Sequence, residues 1–212
     1  MSKKEQEEEI LVGNYDDSNS VFKTIAIFIL FHFLYLVAPL FCFIVPFYMV
    51  LSPYPFNYIA TLFIACYWGV VFSSTSHRTH GSPWPYFENS RVVRYVLEWL
   101  PLRILRKQQL DASKRYVFAC HPHGTLAFNR GAVGFSTNTL WNKAFPGIPF
   151  RVLVASAAFF VPFIRELWLW TYCVDASKKT AVRVLRDSKC SVFVYPGRSC
   201  AMHSCTIMLY MI

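Results

Sequence analysis

Thr24 to His77 reads TIAIFILFHFLYLVAPLFCFIVPFYMVLSPYPFNYIATLFIACYWGVVFSSTSH, without one Asp, Glu, Lys or Arg. Hydrocarbon excludes charged groups more severely than any others, so an uncharged stretch of this length predicts membrane-spanning helices. Ile25 to Leu51 would form a helix of roughly 40 Å at 1.5 Å per residue, bent at Pro39 or Pro46. Ser52-Pro53-Tyr54-Pro55 is a break, and Phe56 to Phe72 adds roughly 25 Å of return helix. The predicted unit is a hairpin; one span followed by a buried helix is the alternative. Lys23 precedes the run, Arg78, Arg91 and Arg94 follow it, and the turn carries no charge, so the positive-inside rule puts both ends in the cytosol. The run is too long for a signal peptide and is preceded by acidic residues.

The rest of the chain is read outward from this segment. At 212 residues, 55% hydrophobic, 18% aromatic and 16% charged, the sequence is too apolar for an ordinary soluble protein and excludes general disorder. A net charge of +9 beside long apolar runs points to lipid headgroups or anionic substrates rather than nucleic acid. Residues 1–23 are expected to be a flexible acidic arm, with six acids against two lysines in the first twenty positions. Seven scattered cysteines without a CxxC pair form neither a disulfide framework nor a zinc ribbon.

From Arg78 onward eighteen basic residues face six acidic ones, and the pattern becomes mixed α/β. Arg115–Cys120, Phe150–Val154 and Ser191–Tyr195 are short β-rich runs. Helical stretches separate them, which predicts a largely parallel sheet. Ser177 is placed to cap a helix over Lys178–Asp187. Arg91 to Lys107, broken near Pro101, reads as an amphipathic helix suited either to a headgroup layer or to packing on its own domain. The domain reading is therefore an arm at 1–23, a hairpin at 24–77, an α/β domain at 78–197 and a tail at 198–212.

The chemistry concentrates at His121-Pro122-His123-Gly124. Two imidazoles follow an apolar strand directly, Pro122 stiffens the turn and Gly124 permits close backbone approach. Ligands of α/β sheets bind at the carboxyl ends of strands. An imidazole there can take a proton from an alcohol as it attacks a carbonyl. No GxSxG elbow, P-loop or GxGxxG is present. Pairing these residues with His77 and His80 gives no ligand set with acidic or cysteine partners, so no metal is expected.

Tyr116 to Gly124, YVFACHPHG, resembles the signature of the type 2 diacylglycerol acyltransferase family, which includes monoacylglycerol acyltransferases and wax synthases. The resemblance extends to YFENSRVVRYVLEWLP before it, and afterwards to Phe145-Pro146-Gly147-Ile148, the Pro162, Arg165, Glu166 block and Ser177-Lys178-Lys179-Thr180. It implies an acyl-CoA-dependent O-acyltransferase that acylates diacylglycerol to triacylglycerol, with His121 and His123 catalytic in undivided roles. Acyl-CoA would be a co-substrate, with no other cofactor, and Arg151, Arg165, Ser177, Lys178 and Lys179 are candidates for its phosphates. The implied partners are acyl-CoA, diacylglycerol or monoacylglycerol, and membrane lipids, with no nucleic acid and a homo-oligomer left open. The implied location is the endoplasmic reticulum membrane, multi-pass with a cytosol-facing catalytic domain, in contact with lipid droplets.

Two departures qualify the resemblance. The wider superfamily places an Asp shortly after its His, where this chain has Leu126 and Phe128. The family's Pro-Gly-Gly with a following Glu is here Pro196-Gly197-Arg198-Ser199-Cys200-Ala201, so the resemblance is read as ending at Gly197. The tail MHSCTIMLYMI looks like a different reading frame or splice product, with the family's carboxyl-terminal part missing. The alternative function is accordingly an inactive truncated membrane protein that targets membranes or pairs with a full-length relative. A lipid hydrolase is disfavoured, because no activated Ser or Cys is evident.

Overall fold

The computed structural model describes residues 9–12, 21–53, 56–99, 103–106, 109–121, 140–161, 163–195 and 206–211. The uncharged run forms helices α1 (Val21–His32) and α2 (Ala38–Val50), joined through a π-helical stretch at Phe33–Val37, then α3 (Phe56–Ser73). Of the two prolines expected to bend the first arm, Pro39 marks the change in helical register. A proline has no N–H to donate to the helical ladder, and the π-helical stretch lies just ahead of Pro39. Pro46 sits inside α2. Ser52 and Pro53 end the first arm as expected, and α2 packs on α3 with the Phe43 and Trp68 ring centroids 6.4 Å apart. Asn57–Arg78 is long and apolar enough to cross a membrane. Large apolar side chains on α1 to α3, among them Phe22, Phe47, Leu62 and Phe63, are exposed.

A five-stranded sheet has the order β5-β4-β6-β3-β7, from β3 (Tyr116–His121), β4 (Phe150–Val154), β5 (Cys173–Asp175), β6 (Ser191–Val194) and β7 (Thr206–Met211). The first four strands in this order are mutually parallel, as the alternation of β-rich and helical segments predicts, and β7 runs antiparallel to β3. Side-chain alternation sorts the core onto two faces. Phe118, Phe150, Val152, Cys173 and Phe193 join Trp141 of α6 (Leu140–Ala144) and Leu169 of α7 (Ile164–Trp170). Val174 and Val192 meet Val184 of α8 (Lys178–Arg186) on the opposite face. The chain steps outward from β4 to β5 through α7 and back to β6 through α8. Right-handed crossovers in opposite directions put their helices on opposite faces. With both faces covered, these strands are apolar on both sides, which is why they read as continuous hydrophobic runs.

The α8 start matches its sequence. Ser177 sits in the extended region (φ −74°, ψ 146°), and its Oγ accepts the Thr180 N–H at 3.3 Å. Ser177→Ala should destabilise the fold by about 1 kcal/mol and Ser177→Gly by only a few tenths. Equal denaturation midpoints for Ser177→Ala and the parent chain would show that the cap contributes nothing.

Three segments depart from expectation. The acidic arm is not uniformly irregular: Glu9–Val12 forms β1, antiparallel to β2 (Arg103–Arg106), with Glu9 opposite Arg106. Ile10, Leu11 and Val12 are residues of the type that strands favour. The amphipathic helix is correspondingly shorter. Helix α5 spans Arg91–Trp99, and beyond Pro101 the chain is extended as β2 rather than helical. In the tail, Thr206–Met211 forms β7.

The helical arms are tied to the α/β domain by side chains as well as by chain connection. At the start of α1, Lys23 is buried between Glu98 (Nζ to Oε2, 3.8 Å) and the Tyr95 ring (4.9 Å), and Trp99 Nε1 donates to Thr24 Oγ1 at 3.2 Å. These contacts put α5 against its own protein, one of the two arrangements open to an amphipathic helix. On α3, Tyr67 donates to Glu166 Oε2 at 3.0 Å, and Arg165 pairs with Glu166 Oε1 at 2.9 Å.

Candidate functional site

His121 is the last residue of β3, at the carboxyl end of the parallel strands. Pro122, His123 and Gly124 lie outside the described residues, as do Leu126 and Phe128. The other strands bring their own polar groups to the same end. Asp175 closes β5, Ser156 follows β4 and Ser177 opens α8. Asp175 is almost fully buried and accepts hydrogen bonds from Ser156 Oγ and from the Ser177 N–H, the latter at 3.3 Å. Burial opposes its ionisation, but the hydrogen bonds from Ser156 and Ser177 outweigh that cost and hold its pKa below the ordinary aspartate value. Strands β6 and β4 lie between β3 and β5. At ~4.8 Å per strand, the Asp175 backbone is therefore about 14 Å from the His121 backbone.

The five phosphate candidates fall at three separate places. Lys178 and Lys179 are exposed in the first turn of α8, beside Ser177 and at the His121 end of the sheet. Two cations there oppose the helix dipole, whose amino end favours negative charge, so the arrangement suits a bound anion. Arg151 lies at the other end of the strands. Its Nε donates to the His80 carbonyl at 2.6 Å and its Nη1 to the Phe150 carbonyl at 2.8 Å, with the guanidinium 5.4 Å over the Tyr172 ring. With His80 and Arg183 it lines a groove of about 430 Å³. Arg165 is 5% exposed, against Glu166 in the interior, and is not presented to solvent as a phosphate ligand would be.

His77 and His80 are also accounted for locally. His77 is buried and stacks on Phe159 with centroids 5.3 Å apart, while His80 contributes its backbone carbonyl to Arg151. Gly81 adopts φ +75° where the chain passes β5, and a Cβ there would meet the Cys173 carbonyl at 3.3 Å. Only glycine takes that conformation without strain. Among the described residues, no group of three or more His, Cys, Asp or Glu side chains is placed to hold a metal ion.

Sequence reasoning missed the acid at 88. Glu88, at the end of α4 (Pro85–Glu88), is 1% exposed; its Oε2 accepts the Tyr172 hydroxyl at 3.0 Å, and its Oε1 has no hydrogen-bond partner among the described residues. Burial raises its pKa, with the Tyr172 hydroxyl and Arg151 pulling the other way. A lone acid among the aromatics of Trp84-Pro85-Tyr86-Phe87 was the available signal. Because the folded chain holds this proton more tightly than the unfolded chain, the contribution of Glu88 is most favourable below the ordinary glutamate pKa. It declines as pH rises through the raised folded-state pKa. Glu88→Gln should flatten that decline in a series of melting temperatures against pH; an unchanged slope would mean that Glu88 is ionised in the folded protein.

Comparison with known proteins follows the same lines. The model of the diacylglycerol acyltransferase family matches residues 50–207, beginning near the α2–α3 turn and running past Gly197, where the sequence resemblance was read as ending. Diacylglycerol O-acyltransferase 1 of Schizosaccharomyces pombe is 30% identical over 100 residues, 47% of this chain and 29% of its own length. Human acyl-CoA wax alcohol acyltransferase 2 is 32% identical over 96 residues, covering 42% of this chain and 27% of its own. Mouse 2-acylglycerol O-acyltransferase 1 is 34% identical over 107 residues, 50% of this chain and 31% of its own. The chain thus spans about a third of the length of these relatives. No solved structure matches it. With a match that covers most of its length and includes the histidine-ended strand, the chain belongs to the diacylglycerol acyltransferase family.

Proposed function

We propose that this chain is an acyl-CoA-dependent O-acyltransferase acting on a neutral glycerolipid, with diacylglycerol as acceptor and triacylglycerol as product. The observation that carries the reading is His121 at the carboxyl end of a central parallel strand, in a chain that belongs to this family. In the proposed reaction an imidazole of the His121, His123 pair removes the acceptor's hydroxyl proton as its oxygen attacks the thioester carbonyl. The new C–O bond forms, the C–S bond breaks, and the proton passes to the departing CoA thiolate. Lys178 and Lys179 face the same end and would receive CoA phosphates; no other cofactor is needed. Arg151, a strand length away, is a weaker candidate for that role.

In this reading α1 to α3 form a hairpin in the endoplasmic reticulum membrane, with both ends cytosolic. The uncharged sequence and the exposed apolar surface of these helices support it. An acceptor dissolved in the bilayer and an enzyme fixed at its surface then share one phase. The product gives a route to lipid droplets.

The test is triacylglycerol synthesis from labelled acyl-CoA and diacylglycerol in microsomes containing the chain, alone and extended with a family carboxyl terminus. His121→Ala and His123→Ala should each reduce transfer by about 10²- to 10⁴-fold, the usual contribution of a positioned base. Full activity in both alanine forms of the extended chain would end the assignment. Arg198 and Ala201, at positions where the resemblance expects Gly and Glu, favour a second reading, an inactive membrane protein that pairs with a full-length relative. Activity of the 212-residue chain by itself would exclude it.

A further inference from the structure

The segment between β4 and α7 carries a surface that the hairpin reading leaves unused. After β4 the chain makes a 3₁₀ turn at Ser156–Phe160 and enters α7 at Ile164. Phe159 turns inward at 1% exposure, but Phe160 is 41% and Phe163 65% exposed. Phe163 holds φ +61°, a conformation disfavoured for a bulky residue. In water neither exposed ring would be compensated by burial.

The neighbours of this segment set its height along α3. The rings of Phe160 and Phe72 are 6.4 Å apart, next to the end of α3 at Ser73. Glu166, at the start of α7, meets the Tyr67 hydroxyl. Tyr67 is six residues before Ser73, about 9 Å up the helix axis at 1.5 Å per residue. The segment therefore climbs beside α3 instead of ending level with its base. Its exposed rings continue the exposed apolar surface of that helix, which includes Leu62, Phe63 and Phe72. The only charges reaching this height from α7 are Arg165 and Glu166, and they are paired with each other. Such pairing suits charged groups at membrane depth.

We propose that Phe160 and Phe163 form a third membrane-inserted element, their rings among the acyl chains of the cytosolic leaflet. The inference rests on the membrane reading of α3. It brings the carboxyl end of the sheet, where β3 ends at His121, down to the level of the headgroups, so that a bilayer-dissolved acceptor reaches it from the side without crossing water.

The experiment uses the native chain in microsomes containing a phosphatidylcholine with a photoactivatable diazirine in its acyl chain, followed by peptide mapping of the adducts. Adducts are expected on α3 at Leu62 and Phe63 and on Phe160 and Phe163. Their yield should exceed that on Lys178–Arg186 by about tenfold, as partition of an aromatic side chain into an apolar phase requires. Labelling of α3 with none on residues 156–163 would overturn the inference and leave the hairpin intact. Absence of labelling on α3 as well would overturn the hairpin, and the inference with it. A probe carrying its diazirine at the headgroup should label Lys178 and Lys179 in preference to Phe163; the reverse order contradicts the proposal.

Discussion

Trp141→Ala should destabilise the α/β domain by about 3–5 kcal/mol, the range for removing a large buried aromatic side chain. Trp141 is wholly buried, and its ring centroid lies 4.8 Å from Phe118, 4.8 Å from Phe193, 4.5 Å from Phe145 and 5.9 Å from Phe150. Its Nε1 donates to the Ile148 carbonyl at 3.4 Å. Truncation leaves a cavity walled by rigid rings on a sheet, which cannot collapse into it, and it strips a buried carbonyl of its donor. Against a total stability of about 5–15 kcal/mol, such a loss approaches unfolding. Trp141→Phe, which keeps most of the volume, should lose less than half as much. Val182→Ala, at a half-exposed position on α8, should stay within about 0.5 kcal/mol. Equilibrium denaturation followed by near-ultraviolet circular dichroism compares the three; equal midpoints for Trp141→Ala and Val182→Ala would remove the aromatic cluster from the core.

The second large effect concerns Arg165. Arg165→Met should cost about 3–5 kcal/mol, because it leaves the Glu166 carboxylate without its cation in a largely desolvated position. The Arg165 side chain is 6% exposed and that of Glu166 26%. The triple change Arg165→Met, Glu166→Gln, Tyr67→Phe removes the charge, its partner and the hydroxyl together and should recover most of the loss, since the uncompensated ion rather than the missing contact is the source. The Arg186–Asp187 pair has the same 2.9 Å separation but is open to solvent, and its removal should leave stability unchanged. Protease resistance of the chain in lipid nanodiscs reads all these variants. An Arg165→Met form as resistant as the parent would show that the Arg165–Glu166 pair contributes nothing to stability.

What could be read from the sequence follows the distance over which each feature is determined. The helix breaks at Pro39 and Ser52-Pro53, the three central strands and the Ser177 cap depend on nearest neighbours, so local chemistry specifies them. The hydrogen bond from Tyr67 to Glu166 joins residues 99 apart, and that from Tyr172 to Glu88 joins residues 84 apart; no local pattern encodes either. Strand β1 is hidden by averaging, since its three β-competent residues, Ile10, Leu11 and Val12, lie within a predominantly acidic arm. The extension of α5 past Pro101 followed basic periodicity into a segment whose conformation is set by pairing with β1. For the site, the strand end that carries His121 was legible. The dispersal of Arg151, Arg165 and Lys178 to different parts of the domain became visible only through the sheet order and the burial of Arg165.

The ladder between β3 and β7 sets Tyr116 opposite Met211 and His121 opposite Thr206. The motif-bearing strand therefore takes one of its two neighbours from the far end of the sequence, and the position beside the histidine is the first residue of that neighbour. Backbone hydrogen bonding accepts many sequences, provided they are extended and β-competent. The strand Thr206–Met211 is thus an exchangeable neighbour: another extended, β-competent segment could take its place with the ladder still standing. In such an architecture, the strand that bears the motif needs its neighbour for an extended backbone and not for a particular sequence.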